Sequence, residues 1–208
     1  MVTRLWILPA RGGPALSGQG YAERVAAASR LPTRVLLICA AIGVATGLLS
    51  AGWAVLHAIT AVGAVALYGL VLGFHALPGV IAQEMLRQPW VALITHAIAA
   101  IVGSAIAPTM LAGYVLAAVV FGGVQEGVAA LTRYRHWEPW RFFLSAAVTG
   151  LVLAVPMWFA FGIAGFALWV QVAFVALFLL GPVVWTAVGL AVGTGLRRAG
   201  VARTATRR

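Results

Sequence analysis

Neither lysine nor aspartate occurs in this 208-residue chain: its 14 basic residues are all arginine and its four acidic residues all glutamate. Without aspartate, HExxH or GxSxG, the chain has no recognisable nucleophile–base set and no metal-hydrolase signature. No GxxxxGK followed by Ser or Thr is present, so ATP is not bound through a P-loop. The single cysteine, Cys39, excludes an internal disulfide and any CxxC metal or redox site. The histidines His57, His75, His96 and His136 are widely spaced, and no spacing among them marks a metal site. These absences point away from an enzyme and name no cofactor and no metal ligand. Charge itself is scarce, at 9% of residues.

What remains is apolar. Sixty-three per cent (63%) of residues are hydrophobic and the mean hydropathy is +1.03, far above a soluble domain. The chain reads as an all-α, multi-pass membrane protein of the cell membrane, with the lipid bilayer as its solvent. A net charge of +10 suggests nucleic acid at first sight, but arginines in such a chain mostly set topology. Residues 1–33 read as a cytoplasmic tail. Arg4, Arg11, Arg24 and Arg30 interrupt it, and the apolar run Leu5–Ala10 is too short for the core of a signal peptide. Residues 34–196 form the transmembrane domain, and residues 197–208, with five arginines, a second basic tail.

A spanning helix needs about 20 apolar residues. Six candidates follow: 34–53, 67–86 with Pro78 expected to kink it, 89–107, 111–131, 140–161, and 166–196, long enough to tilt or to break near Gly181-Pro182. Residues 54–66 are apolar but rich in Ala and Gly, and are either a loop, a continuation of a neighbouring span, or a separate crossing. Six spans put both termini on one side. Every arginine then falls on that side, and the connections near 53–66, 107–111 and 161–166 carry none. The positive-inside rule makes that side the cytoplasm.

Few polar groups lie at membrane depth. Glu126 is the only carboxylate well inside a span, where a charge costs about 2.5–3.5 kcal/mol on insertion scales. Such a residue either faces a cavity or partner, or orders the bundle. Arg133 follows it by seven residues, two turns on one helical face. Glu84 precedes Arg87 by one turn, an i,i+3 pair expected to snorkel to the headgroups. Trp137 and Trp140 suit an interfacial belt. Tyr114 falls towards the outer side and His75 partway down the second span. Trp53, Tyr68, Trp158 and Trp169 also fall towards the outer side, and His96 near the middle of the third span; these last five are the ones singled out. With Glu126 they compose a candidate binding set for a small organic cation, since aromatic faces attract cations and a carboxylate neutralises them. The competing roles are an outer aromatic belt for the rings and an interhelical hydrogen bond for His96. Small-xxx-small patterns, Ala41-x3-Ala45, Gly43-x3-Gly47, Gly123-x3-Gly127 and Gly189-x3-Gly193, permit close backbone approach within the chain or to a partner.

The segments Leu67-Tyr68-Gly69-Leu70, Leu77-Pro78-Gly79, Met85-Leu86-Arg87-Gln88-Pro89 and, above all, Gly122 to Tyr134 resemble the substrate-binding S components of energy-coupling-factor transporters. The likeness is greatest to the YkoE type, associated with thiamine or its hydroxymethylpyrimidine precursor. The resemblance spans roughly 34–196. It implies an S-component-like bundle without ATPase activity of its own. Such a subunit captures a vitamin-like small molecule from the outer side and works with a transmembrane coupling subunit and ATPase subunits that consume the ATP. Ala41 and Ala45 would then form the face presented to the coupling subunit. The chain departs from the family pattern in carrying Trp90 where a glycine is usual, and His96 and Gly103 where glutamates are common. Lost carboxylates weaken the case for a cationic thiazolium and leave a neutral pyrimidine open. Two other roles compete: a non-transporting membrane assembly subunit, and a proton-coupled carrier working alone through Glu126.

Overall fold

The computed structural model describes residues 32–201; both predicted tails lie mostly outside these, with Arg4 to Arg30 and Arg203 to Arg208. Apart from short connections, the described residues are helical, without a strand among them. They form six helical elements: α1 (Thr33–Gly63), α2 (Val65–Leu86), α3 (Val91–Ile106), α4 (Pro108–Leu131), α5 (Pro139–Ala160) and α6 (Leu168–Arg198). Five are long and apolar enough to cross a membrane. The other, α3, is a shorter apolar helix of 16 residues.

α1 does not stop at Trp53. It continues unbroken for 31 residues, so residues 54–63 extend the first span. Nothing in this stretch removes a backbone donor, and the helix ends only where Ala64 takes a non-helical φ of −149°. The chain then reverses at once into α2. That helix changes character twice, with 3-10 turns at Val65–Leu67 and Gly73–Ala76 before a regular α segment, Leu77–Leu86. Pro78 sits in the first turn of that last segment, where its missing N–H costs nothing, and the irregularity lies before it. Polar side chains from neighbouring helices answer the carbonyls around the irregular stretch, as an apolar surround requires. The indole N–H of Trp185 donates to the Leu70 carbonyl (2.9 Å), that of Trp53 to Val71 (3.1 Å), and the Gln125 amide to Ala76 (3.0 Å).

α6 passes through Gly181-Pro182 without a break. The reason is the crossing with α2. A Cβ on Gly73 would strike the Gly181 backbone, and one on Gly181 would strike the Gly69 carbonyl. Backbone lies on backbone here, so the neighbour holds α6 in line across its proline. The same device joins α1 to α3: a Cβ on Gly47 would come within 2.7 Å of the Ala99 carbonyl oxygen. Gly43-x3-Gly47 is thus an internal seam, whereas Ala41 and Ala45 lie on the exposed face of α1. In lipid, where apolar tails give helices no hydrophobic reason to associate, such van der Waals contact carries much of the packing. A core of Phe121, Leu153, Ile163, Phe174 and Phe178 lies where α2, α4, α5 and α6 meet.

α4 contains a π-helical stretch, Ala118–Gly122, between its two α segments. It lies beside His96, whose side chain a Cβ on Gly122 would crowd at 3.2 Å.

Candidate functional site

The cavity of interest lies at the end of the bundle opposite Arg87 and Arg197. It is lined by Ala54, His57, Tyr68, Leu72, His75, Met110, Gly113 and Tyr114, and encloses about 390 Å³ including its open mouth. Its walls come from α1, α2 and α4. The short reversal at Ala64 makes α1 and α2 antiparallel neighbours and brings His57 and His75 together, with ring centroids 5.3 Å apart. Tyr68 closes on His57 edge to face at 5.5 Å, and Tyr114 on His75 at 6.1 Å.

A deeper, tight chamber with room for about one water-sized group adjoins it, bounded by Ser50, Pro78, His96, Ala99, Ala100, Ala117 and Ala118. His75 and Tyr114 line both chambers and form the partition between them. Tyr114 is held by its hydroxyl, which donates to the Ser50 carbonyl at 3.1 Å. His96 is held by Gln125, with Nε2 to Oε1 at 3.0 Å. No carboxylate lines either chamber, and no group of three or more His, Cys, Asp or Glu able to hold a metal ion occurs among the described residues. The arrangement offers flat aromatic and imidazole surfaces with a few hydrogen-bonding atoms, a setting for a small planar molecule.

Of the six residues expected to bind substrate, the fold brings Tyr68 to the outer chamber and His96 to the inner one. Trp53 stands behind the outer chamber, stacked on Phe74 at 4.9 Å, with its indole N–H committed to Val71. Trp158 packs edge-on against Phe174 and borders a shallow groove between α5 and α6. Trp169 is 71% exposed on the rim of a different groove, with Gly63, Leu67 and Phe166. His57, His75 and Tyr114 were not among the six, although His75 is one of the few polar groups at membrane depth and Tyr114 one of the outer-side aromatics. Only the position of the α1–α2 turn pairs the two histidines, and residues 54–66 gave no clear turn signal.

Glu126 is 4% exposed and lies at the arginine-bearing end. Its Oε1 accepts the Trp90 backbone N–H (2.5 Å) and its Oε2 that of Ala92 (3.3 Å). These are donors at the start of α3, so Glu126 caps that helix from α4 and sets its charge against the helix dipole. Gln83 also donates to Oε2 at 3.5 Å, and Gln83 Oε1 accepts from Arg141 Nη2 at 3.2 Å. Arg141 is 1% exposed, its guanidinium 4.4 Å from the Trp137 and Phe142 ring centroids. Burial first, then the Glu126 carboxylate that Tyr134 hydrogen-bonds, pushes the Tyr134 phenol up to about 12. Arg133 does not share a helical face with Glu126, because α4 ends at Leu131 and Arg133 and Tyr134 both have positive φ.

Glu84 corrects a second expectation. Its pair with Arg87 exists at 3.7 Å, but the carboxylate does not snorkel outward. It is 5% exposed and binds Arg197 at 2.9 Å and the Thr194 hydroxyl at 3.1 Å, tying α2 to the end of α6. A glycine at 193 leaves room for this, since a Cβ there would sit 3.0 Å from Glu84 Cβ.

The fold is similar to that of a solved S component of an ECF transporter, at 20% identity and a TM-score of 0.74, covering 84% of this chain and 90% of the other. No curated protein sequence matches the chain. The sequence pattern of the family described as "ABC-type cobalt transport system, permease component" matches residues 34–152, more than half of the chain. An all-helical bundle with an S-component fold and this family match together identify the chain as a member of that permease family.

Proposed function

We propose that the chain is the substrate-binding S component of an energy-coupling-factor importer, with six spans and both termini in the cytoplasm. It captures a small vitamin-like heterocycle from the outer side, thiamine or its hydroxymethylpyrimidine precursor. The observation that carries this reading is the His57–Tyr68–His75–Tyr114 cavity at the arginine-free end. Within that pair of substrates the neutral pyrimidine is favoured. A cationic thiazolium would enter a cavity without a carboxylate, and Glu126 is occupied with the start of α3. A transmembrane coupling subunit would dock on the exposed Ala41 and Ala45 face of α1, and partner ATPase subunits would supply the energy. The carrier alternative is disfavoured for the same reason that thiamine is: it needs a Glu126 free to exchange protons with a water-filled path.

A divalent cation is the second reading, favoured by the family's description and by the facing imidazoles of His57 and His75. Calorimetry on the detergent-purified chain separates the two. Hydroxymethylpyrimidine is expected to bind, thiamine more weakly, and Co²⁺ not at all. Binding of Co²⁺ with no response to either heterocycle would replace the first reading by the second.

A further inference from the structure

The inner chamber is lined by four polar side chains, Ser50, His75, His96 and Tyr114, and three of them have already spent their protons. The Ser50 hydroxyl donates to the Thr46 carbonyl at 2.8 Å. The Tyr114 hydroxyl donates to the Ser50 carbonyl at 3.1 Å. The Gln125 amide nitrogen donates to the Ala76 carbonyl at 3.0 Å, which fixes the amide with its oxygen towards His96 Nε2 at 3.0 Å. An amide oxygen only accepts, so the neutral His96 carries its proton on Nε2 and keeps a lone pair on Nδ1. Ser50 Oγ and Tyr114 Oη likewise keep lone pairs. Only His75, which makes no side-chain hydrogen bond within the described residues, has both a donor and an acceptor to offer.

From this count we infer that the inner chamber selects a hydrogen-bond-donating substituent. The substrate is then a flat heterocycle that lies in the outer chamber and passes an exocyclic amino group between His75 and Tyr114. The inference rests on the reading of the cavity as a ligand seat and says which chemistry that seat prefers. A carbonyl at the same place would meet lone pairs on three sides and could accept from His75 alone, whereas an amino group can donate to those lone pairs; the three unanswered acceptors penalise the carbonyl. Gln125 acts as a positioning residue, because turning its amide would turn the His96 proton with it. The chain makes space for that pair: a Cβ on Gly79 would overlap Gln125 Oε1 and come within 2.8 Å of His96 Nε2.

The test compares two ligands on the purified full chain by calorimetry: 4-amino-5-hydroxymethyl-2-methylpyrimidine and its 4-oxo analogue. The amino compound is expected to bind tighter by about tenfold or more, the scale on which a buried polar mismatch discriminates. Ser50→Ala removes one acceptor while keeping the carbonyl that holds Tyr114, and is expected to shrink the ratio several-fold; Gln125→Leu should shrink it further by freeing the His96 ring. Equal affinity for both compounds, or a ratio unmoved by Ser50→Ala and Gln125→Leu in folded protein, overturns the acceptor chamber and leaves the ligand seat standing. No binding of either compound overturns it together with the reading of the cavity.

Discussion

At the end of the bundle that carries Arg87 and Arg197, the buried polar side chains answer one another: Glu126 with the α3 N–H groups, Gln83 with Arg141, Glu84 with Arg197 and Thr194. At the other end, His57 and His75 meet ring to ring, His57 packs on Tyr68, both histidines line a cavity, and His57 Nε2 is buried without a hydrogen-bond partner among the described residues. Both ends hold groups that are costly in an apolar medium. At the first, partners on other helices offset most of the cost, with Arg141 Nε left unpartnered among the described residues, so those groups fix how helices pack. At the second, no hydrogen-bond partner of either imidazole among the described residues supplies that offset. A polar residue's depth in the membrane therefore says little about its role; whether its hydrogen-bonding capacity is consumed says much more.

This contrast is open to attack from both sides. The largest expected effect is at the closed end. Glu126→Ala strips the cap from α3 and leaves Arg141 without the carboxylate its network leads to, and should cost about 3–5 kcal/mol, as when one partner of a buried charged set is removed. Thermal unfolding in detergent reads this directly. The protein that still folds is expected to bind its ligand as before, and a selective loss of affinity would move Glu126 to the open end's class. Next comes His75→Leu, similar in bulk to the imidazole it replaces. It should lower ligand affinity about tenfold or more, with a melting temperature close to the parent's. A collapse in stability instead would mean that the imidazole holds the bundle.

Smaller effects sharpen the comparison. Trp90 has φ of 69°, in the left-handed region, where a side chain other than glycine is strained by about 1–2 kcal/mol. Trp90→Gly should therefore raise thermal stability by about 1 kcal/mol, the Glu126 bond to the backbone N–H being retained. A drop would show that the half-exposed indole anchors the helix at the interface more strongly than its backbone is strained. Smallest of all for the isolated chain is Ala41→Leu. With Ala41 on the exposed face of α1, the melting temperature is expected to stay put while co-purification with a coupling subunit is lost.

Much of this was legible in the residues. The apolar runs located the helices, and a lone carboxylate at membrane depth located Glu126. What it does there was hidden, because its partners are main-chain N–H groups that no side-chain pattern reveals. Glu84 was misread for a related reason: its nearest cation, Arg197, is 113 residues away, and Arg87 one turn along hid it. The strain at Trp90 had a faint trace, a bulky residue where the resembling family has glycine. The paired histidines left less, since their meeting depends on where an Ala- and Gly-rich stretch turns.

That turn also bears on how the gene can change. Connections between helices usually tolerate insertions and deletions. Here one added residue at Ala64 would slide His75 about 1.5 Å along α2 and swing it about 100° around the axis, relative to His57. The loop between α1 and α2 is thus as intolerant of length change as the cavity is of substitution. In any relative that keeps both histidines for the same purpose, the number of residues between them should be fixed at 17, whatever those residues are.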